Sequence, residues 1–112
     1  VRTIISGSRG LGILEVESAI SKAPFMITVV LSGTARGVDQ AGERWALQHS
    51  IPVERYPADW STGRGAGYRR NELMAEKAEA LIAVWDGSSR GTKHMIDIAQ
   101  SKGLKVFVWR TG

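Results

Sequence analysis

Six arginines, Arg9, Arg36, Arg64, Arg69, Arg70 and Arg90, stand in or beside glycine-rich segments. Four short loops pair such an arginine with permissive backbone: Gly7-Ser8-Arg9-Gly10, Gly33-Thr34-Ala35-Arg36-Gly37, Gly63-Arg64-Gly65-Ala66-Gly67 and Gly87-Ser88-Ser89-Arg90-Gly91-Thr92. Each follows an apolar run and precedes a helix-like pattern. That combination suits phosphate. Glycine lets backbone N–H groups turn toward an anion, a new helix adds its positive N-terminal end, and arginine brings a forked, permanently charged donor. Repeated around a small protein, it predicts a site for a nucleotide or nucleotide-derived small molecule.

The loops supply candidate ligand-binding residues one by one. Gly7, Ser8 and Arg9 close the first strand and offer donors to phosphate or ribose. The spacing Gly7-x-x-Gly10-x-Gly12 only loosely echoes the dinucleotide fingerprint, so a dehydrogenase site is not expected. Gly33 and Thr34 belong in the pocket. Asp39 either complements the dipole of its helix or bonds to a ligand ribose or a neighbouring loop. Adjacent helical residues diverge by about 100°, so Arg70 is assigned to the pocket and Arg69 to the surface or a dimer contact. Asn71 joins Arg70 in reading a polar edge or a phosphate, and Glu72 is the carboxylate beside them. Gly87, Ser88, Ser89, Arg90, Gly91 and Thr92 form the strongest phosphate candidate, with Thr92 also suited to cap the following helix. Trp60 and Trp85 offer base-stacking surfaces, with packing the alternative for Trp85. Trp45 and Trp109 read as core or interface residues. His49 and His94 lack partners at metal-ligand spacing, so neither a metal site nor a cofactor is expected.

The elements that must position these residues follow from apolar patterning. Short apolar runs at 3–6, 27–31, 52–56, 80–85 and 105–109 read as strands covered on both faces, the mark of a parallel sheet. Between them lie helical stripes: Ile13, Val16, Ile20 and Ala23; Val38, Ala41, Gly42, Trp45, Ala46 and His49; Met74, Ala75, Ala78 and Leu81; and Met95, Ile98, Ala99 and Lys102. The alternation predicts an α/β fold, a three-layer Rossmann-like domain spanning residues 1–112, with a mostly parallel five-stranded sheet in the order 3-2-1-4-5. Ligands bind such sheets at the carboxyl ends of the strands, where the winding reverses. Here that point falls between the first and fourth strands. Residues 57–67 form the longest irregular segment, of a length that often carries binding.

The 112 residues suffice for one core. A hydrophobic fraction of 43% and a charged fraction of 23% are ordinary for a globular protein and argue against disorder. With no cysteine, disulfides and thiolate chemistry are excluded. The start of the chain reads as a strand rather than a targeting segment, and no apolar run reaches membrane-spanning length, so a cytoplasmic protein without a membrane partner is expected. A net charge of +4 would favour phosphates or polyanions. The arginines sit in separate loops rather than one track, which favours a small ligand over nucleic acid.

Taken in order, Gly7-Ser8-Arg9, Ser32 to Asp39, Gly67 to Met74 and Gly87 to Thr92 resemble the SLOG superfamily. More narrowly, they resemble its YspA-related branch. Relatives in that superfamily include the Lonely Guy phosphoribohydrolases and the DprA/Smf DNA-processing proteins. The resemblance spans nearly the whole chain. It implies a Rossmann-like domain that binds nucleotides or their derivatives as a sensor, a sequestering protein or an enzyme, commonly as a homo-oligomer. Arg70-Asn71-Glu72-Leu73-Met74 aligns with the arginine motif of the Lonely Guy enzymes. At their catalytic glutamate, however, this chain has Met95, and a thioether cannot handle a proton as a carboxylate does. That argues against Lonely Guy chemistry. An alternative enzyme would cleave an N-glycosidic or phosphate bond, with Arg70 polarising phosphate and Glu72 or Asp39 as acid or base. The DprA/Smf kinship and the positive charge leave single-stranded nucleic-acid binding as a further alternative.

Overall fold

Residues of β1 (Arg2–Gly7) alternate between two buried faces, as a strand with helices on both sides requires. The computed structural model describes residues 1–111. After β1 come α1 (Ile13–Lys22), β2 (Val29–Ser32), α2 (Val38–Gln48), β3 (Val53–Arg55), a short 3₁₀ turn (Trp60–Thr62), α3 (Ala66–Lys77), β4 (Ala80–Trp85), α4 (Arg90–Ser101) and β5 (Lys105–Arg110). The strands form one sheet ordered β3-β2-β1-β4-β5, every neighbouring pair parallel. The predicted architecture and strand order are both present.

Two apolar cores flank the sheet. Ile5, Ile82 and Val84 pack with Val16 and Ala19 of α1 and with Val38, Ala41 and Trp45 of α2. On the opposite face, Ile4, Leu31, Leu81 and Ala83 meet Met74 and Ala75 of α3 and Met95 and Ala99 of α4. Met95 is therefore a fully buried core side chain. Among the described residues, no helix is long and apolar enough to cross a membrane.

Several boundaries differ from the periodicity. β2 begins at Val29 rather than Ile27, and β3 is confined to Val53–Arg55. Ala78 ends α3 as its C-cap, and Leu81 lies in β4. His49 and Lys102 are likewise C-caps rather than members of a helical stripe. The His49 ring stacks on Trp45 with centroids 4.5 Å apart, so a capping residue continues the apolar spacing of its helix.

Gly7 marks the winding reversal, paired in register with Val84 of β4. A Cβ at this position would run into the Val84 carbonyl oxygen and the Val38 side chain of α2. The chain then turns so that Ser8 N–H donates to that same carbonyl at 3.0 Å. Returning the contact, Asp86 N–H donates to Ser8 Oγ at 3.0 Å. These bonds join the β1 and β4 loops at the carboxyl edge. Because the methyl of Gly7→Ala would meet backbone rather than a flexible side-chain end, that substitution is expected to cost about 2–3 kcal/mol, measured as a lowered urea midpoint with an unchanged slope.

Candidate functional site

The loop after β2 is held from beneath. Ser32 Oγ accepts from Thr34 N–H at 3.1 Å, and Asp39 Oδ2 accepts from Ala35 N–H at 3.3 Å. Thr34 sits at φ 68°, a left-handed conformation that a branched residue adopts only where its surroundings enforce it. Gly33 is required by crowding: a Cβ there would lie 2.7 Å from both Arg70 Nη1 and Asp39 Oδ2. The backbone thus makes way for a guanidinium and a carboxylate to approach one another.

Arg70, in the second turn of α3, reaches across the ends of β2 and β3. Its Nη1 donates to the Gly33 carbonyl and to the Tyr56 carbonyl, the latter at 3.4 Å. Nε donates to Asn71 Oδ1 at 3.0 Å. Asn71 passes the linkage to α4, with its Nδ2 3.3 Å from the Gly91 carbonyl and 3.2 Å from His94 Nδ1. The His94 ring lies against Tyr68, centroids 4.2 Å apart. Partial burial pulls the Arg70 pKa down, and the neighbouring Asp39 charge pushes the other way. Asp39 is only 4% exposed, and burial pushes its carboxyl up to about 6 despite the Ala35 amide and Arg70.

The β4 loop is built around Asp86, whose Oδ1 accepts from the N–H groups of Ser88 and Ser89 at 2.8 and 3.0 Å. Those bonds hold its carboxyl below the usual range. Ser89, not Thr92, caps α4: its Oγ accepts from Thr92 N–H at 3.3 Å, while the Thr92 hydroxyl donates to Ser89 Oγ at 2.9 Å. The helix begins three residues earlier than a Thr92 cap requires. Its opening amides, at Arg90 and Gly91, have no preceding turn to accept from them.

Two connected hollows result. A cleft of about 620 Å³ is walled by Arg9, Thr34, Trp60, Arg64, Tyr68 and Arg70, among others. Beneath it lies a pit of about 80 Å³ that shares Arg9, Ala35, Arg70, Asn71 and Gly91 with the cleft and ends on Ser6, Gly7, Asp39, Ser89 and Thr92. Trp60, 60% exposed, rests against the backbone of Gly67, where a Cβ would come within 3.2 Å of its ring. Among the described residues, no three His, Cys, Asp or Glu side chains gather as a metal site would need.

Of the residues singled out from sequence, Gly7, Arg9, Gly33, Thr34, Asp39, Arg70, Asn71, Ser89, Gly91 and Thr92 line these two hollows. Five others do not. Ser8 is buried and bonded to the Asp86 amide. Gly87, at φ 88°, packs beside the Arg110 guanidinium, and Ser88 is exposed on the loop. Arg90 borders a separate hollow with Lys93 and Asp97, and Glu72 is exposed on α3 outside both linings. Arg69 diverges from Arg70 as helix geometry demands. Its Nη2 donates to the Thr62 carbonyl and hydroxyl at 3.1 and 2.6 Å, securing the 3₁₀ turn. Trp85 donates through Nε1 to the Ser89 carbonyl and lies under Arg110, so it supports the loop. Tyr68 and Ser6 were not foreseen as lining. Tyr68, in the glycine-flanked opening turn of α3, was the more readable of the two.

Comparison with known proteins identifies the family of the chain. The model of the YspA, cpYpsA-related SLOG family matches residues 1–63. The chain belongs to that family. Within the matched SLOG segment lie β1, the Gly33 loop and Asp39; Arg70 and the β4 loop fall beyond it. The chain is 34% identical over 94 residues to the Gene 61 protein of Mycobacterium phage D29, covering 78% of this chain and 74% of that one. It is 40% identical over 42 residues to the uncharacterized SPbeta prophage-derived protein YoqJ of Bacillus subtilis (strain 168), covering 38% of this chain and a quarter of YoqJ. No solved structure matches.

The elevated Asp39 pKa has a stability consequence. Its carboxyl holds a proton in the folded state up to about pH 6, whereas the unfolded chain releases it near pH 4. Folding stability contributed by protonated Asp39 is complete below pH 4 and is lost as pH rises through 6, by about 3 kcal/mol. Thermal unfolding of the wild type and Asp39→Asn across pH 4–8 is expected to show the wild type losing ground to the variant over that interval, with no further change above pH 7.

Proposed function

We propose that this protein binds a nucleotide or nucleotide-derived small molecule at the carboxyl edge of its sheet, acting as a sensor or sequestering protein. The observation that carries this reading is the convergence of Arg9, Arg70 and Gly91, in the opening turn of α4, where the pit meets the cleft. Phosphoryl oxygens fit there. Backbone N–H groups at a helix start and two guanidinium groups give directional and charge-assisted bonds to an anion. Trp60 and Tyr68 offer the cleft apolar faces suited to a base. Membership of a SLOG family supports a nucleotide-related role without specifying the ligand.

Hydrolysis of an N-glycosidic or phosphate bond is the second reading, favoured by one observation. Asp39, a carboxylate with a pKa near 6, lies in the pit beside Arg70, and a group poised there can exchange a proton near neutral pH. Glu72, the other carboxylate considered, lines neither hollow.

Native mass spectrometry of freshly purified protein is expected to show a retained mass consistent with a nucleotide or its derivative. Calorimetry should then find binding weakened on the order of tenfold in Arg9→Ala and more in Arg70→Ala, in line with the loss of charge-assisted bonds. Arg9 is exposed at the mouth, so its variant separates ligand binding from folding. Failure of any nucleotide to bind the folded wild type would refute the binding reading. Mass spectrometry of mixtures with nucleoside monophosphates and NAD-type substrates tests hydrolysis; a product formed by wild type and lost in Asp39→Asn would establish it.

A further inference from the structure

Arg70 approaches Asp39 within the pit, but the two side chains do not share every wall of the site. Arg9 and Arg70 belong to the mouth shared by cleft and pit, whereas Asp39, Ser6 and Thr92 are reached only within the pit. A phosphoryl group suits the mouth and not the floor, where it would face a buried negative charge in a low-dielectric setting. The floor asks for a neutral group that donates hydrogen bonds. Asp39 accepts from Ala35 N–H at 3.3 Å and from the Gly7 amide, which leaves about two of a carboxylate's four acceptor sites open. Donors that fill those remaining sites would offset part of the cost of burying the carboxylate.

From this placement we infer that Asp39 is the specificity residue of the cleft, accepting hydrogen bonds from the adjacent 2′- and 3′-hydroxyls of a ribosyl ligand whose phosphate stays at the mouth. The inference rests on the nucleotide reading above and narrows it to ribonucleotides and their derivatives. The diol edge of ribose is the part of a nucleotide that is uncharged, compact and able to donate twice. It projects away from both base and 5′-phosphate, so it can enter the pit while they occupy the cleft and its mouth. A 2′-deoxy ligand would leave Asp39 short of a donor, and sites built to bond a hydroxyl reject its absence strongly.

The test uses the full chain at pH 8, where Asp39 is ionised, and four ribonucleoside 5′-monophosphates, each paired with its 2′-deoxy counterpart. For the members that bind, calorimetry is expected to give ribonucleotide affinity on the order of tenfold or more above the deoxy partner. Asp39→Asn should shrink that ratio to within about threefold while leaving deoxynucleotide affinity unchanged or raised, because a charge near the phosphate has been removed. A folding defect would instead weaken both partners together. Ser6→Ala, a milder change in the same floor, serves as the second variant and should reduce the ratio partway. Equal affinity for ribo and deoxy partners in the wild type, or an undiminished ratio in Asp39→Asn, overturns the assignment and leaves the nucleotide reading standing. Absence of binding by all eight compounds overturns the assignment, and absence of any retained nucleotide-derived mass in native spectrometry besides overturns the nucleotide reading too.

Discussion

The close approach of β1 to β4 at Gly7 is the constraint on which the carboxyl edge depends. Where those strands part, the backbone of Gly7 lies against the Val84 carbonyl and the Val38 side chain with no room for a methyl group. Two hydrogen bonds, Ser8 to Val84 and Asp86 to Ser8, then stitch the departing loops together. Because Val38 opens α2, the same contact sets the height at which that helix begins. Asp39, its neighbour, is thereby carried into the interior. The pit exists because three chain segments meet around a residue without a side chain.

Arg70 performs the complementary task from the opposite side. Its guanidinium bridges carbonyls at the ends of β2 and β3 and engages Asn71, which in turn binds α4. One side chain therefore ties the two halves of the sheet's rim, leaving remaining donor capacity toward the hollow. This double employment explains why it is held so firmly without a direct ion pair to Asp39: carbonyl oxygens orient it, and the carboxylate acts through its field.

Much of this was legible in the residues. Continuous apolar runs of strand length announced a parallel sheet because both faces of β1 and β4 are buried. Glycine-arginine loops pointed to the carboxyl edge, and the divergence of Arg69 from Arg70 followed from helix geometry alone. Less accessible was the use to which small polar side chains are put. Ser8, Ser88, Ser89 and Thr92 look alike as phosphate donors, yet Ser8 closes a loop contact, Ser89 caps a helix and Ser88 stays in solvent. Hydroxyls serve backbone and ligand equally well, so only three-dimensional placement separates the roles. Arg90 and Glu72 fail to reach the site for another reason: each lies on a helix whose rotation depends on packing beneath it. The depth of Asp39 was likewise hidden, since an acidic residue in a first helical turn is ordinarily a surface feature.

The attachment of the 3₁₀ turn carries a mechanical consequence. Arg69 fastens Thr62 to α3, while Gly67 allows the Trp60 indole to lie upon the first turn of that same helix. The outer wall and the Arg70 guanidinium consequently ride on a single lever. Any sliding of α3 over the sheet would shift the aperture and its charge in step.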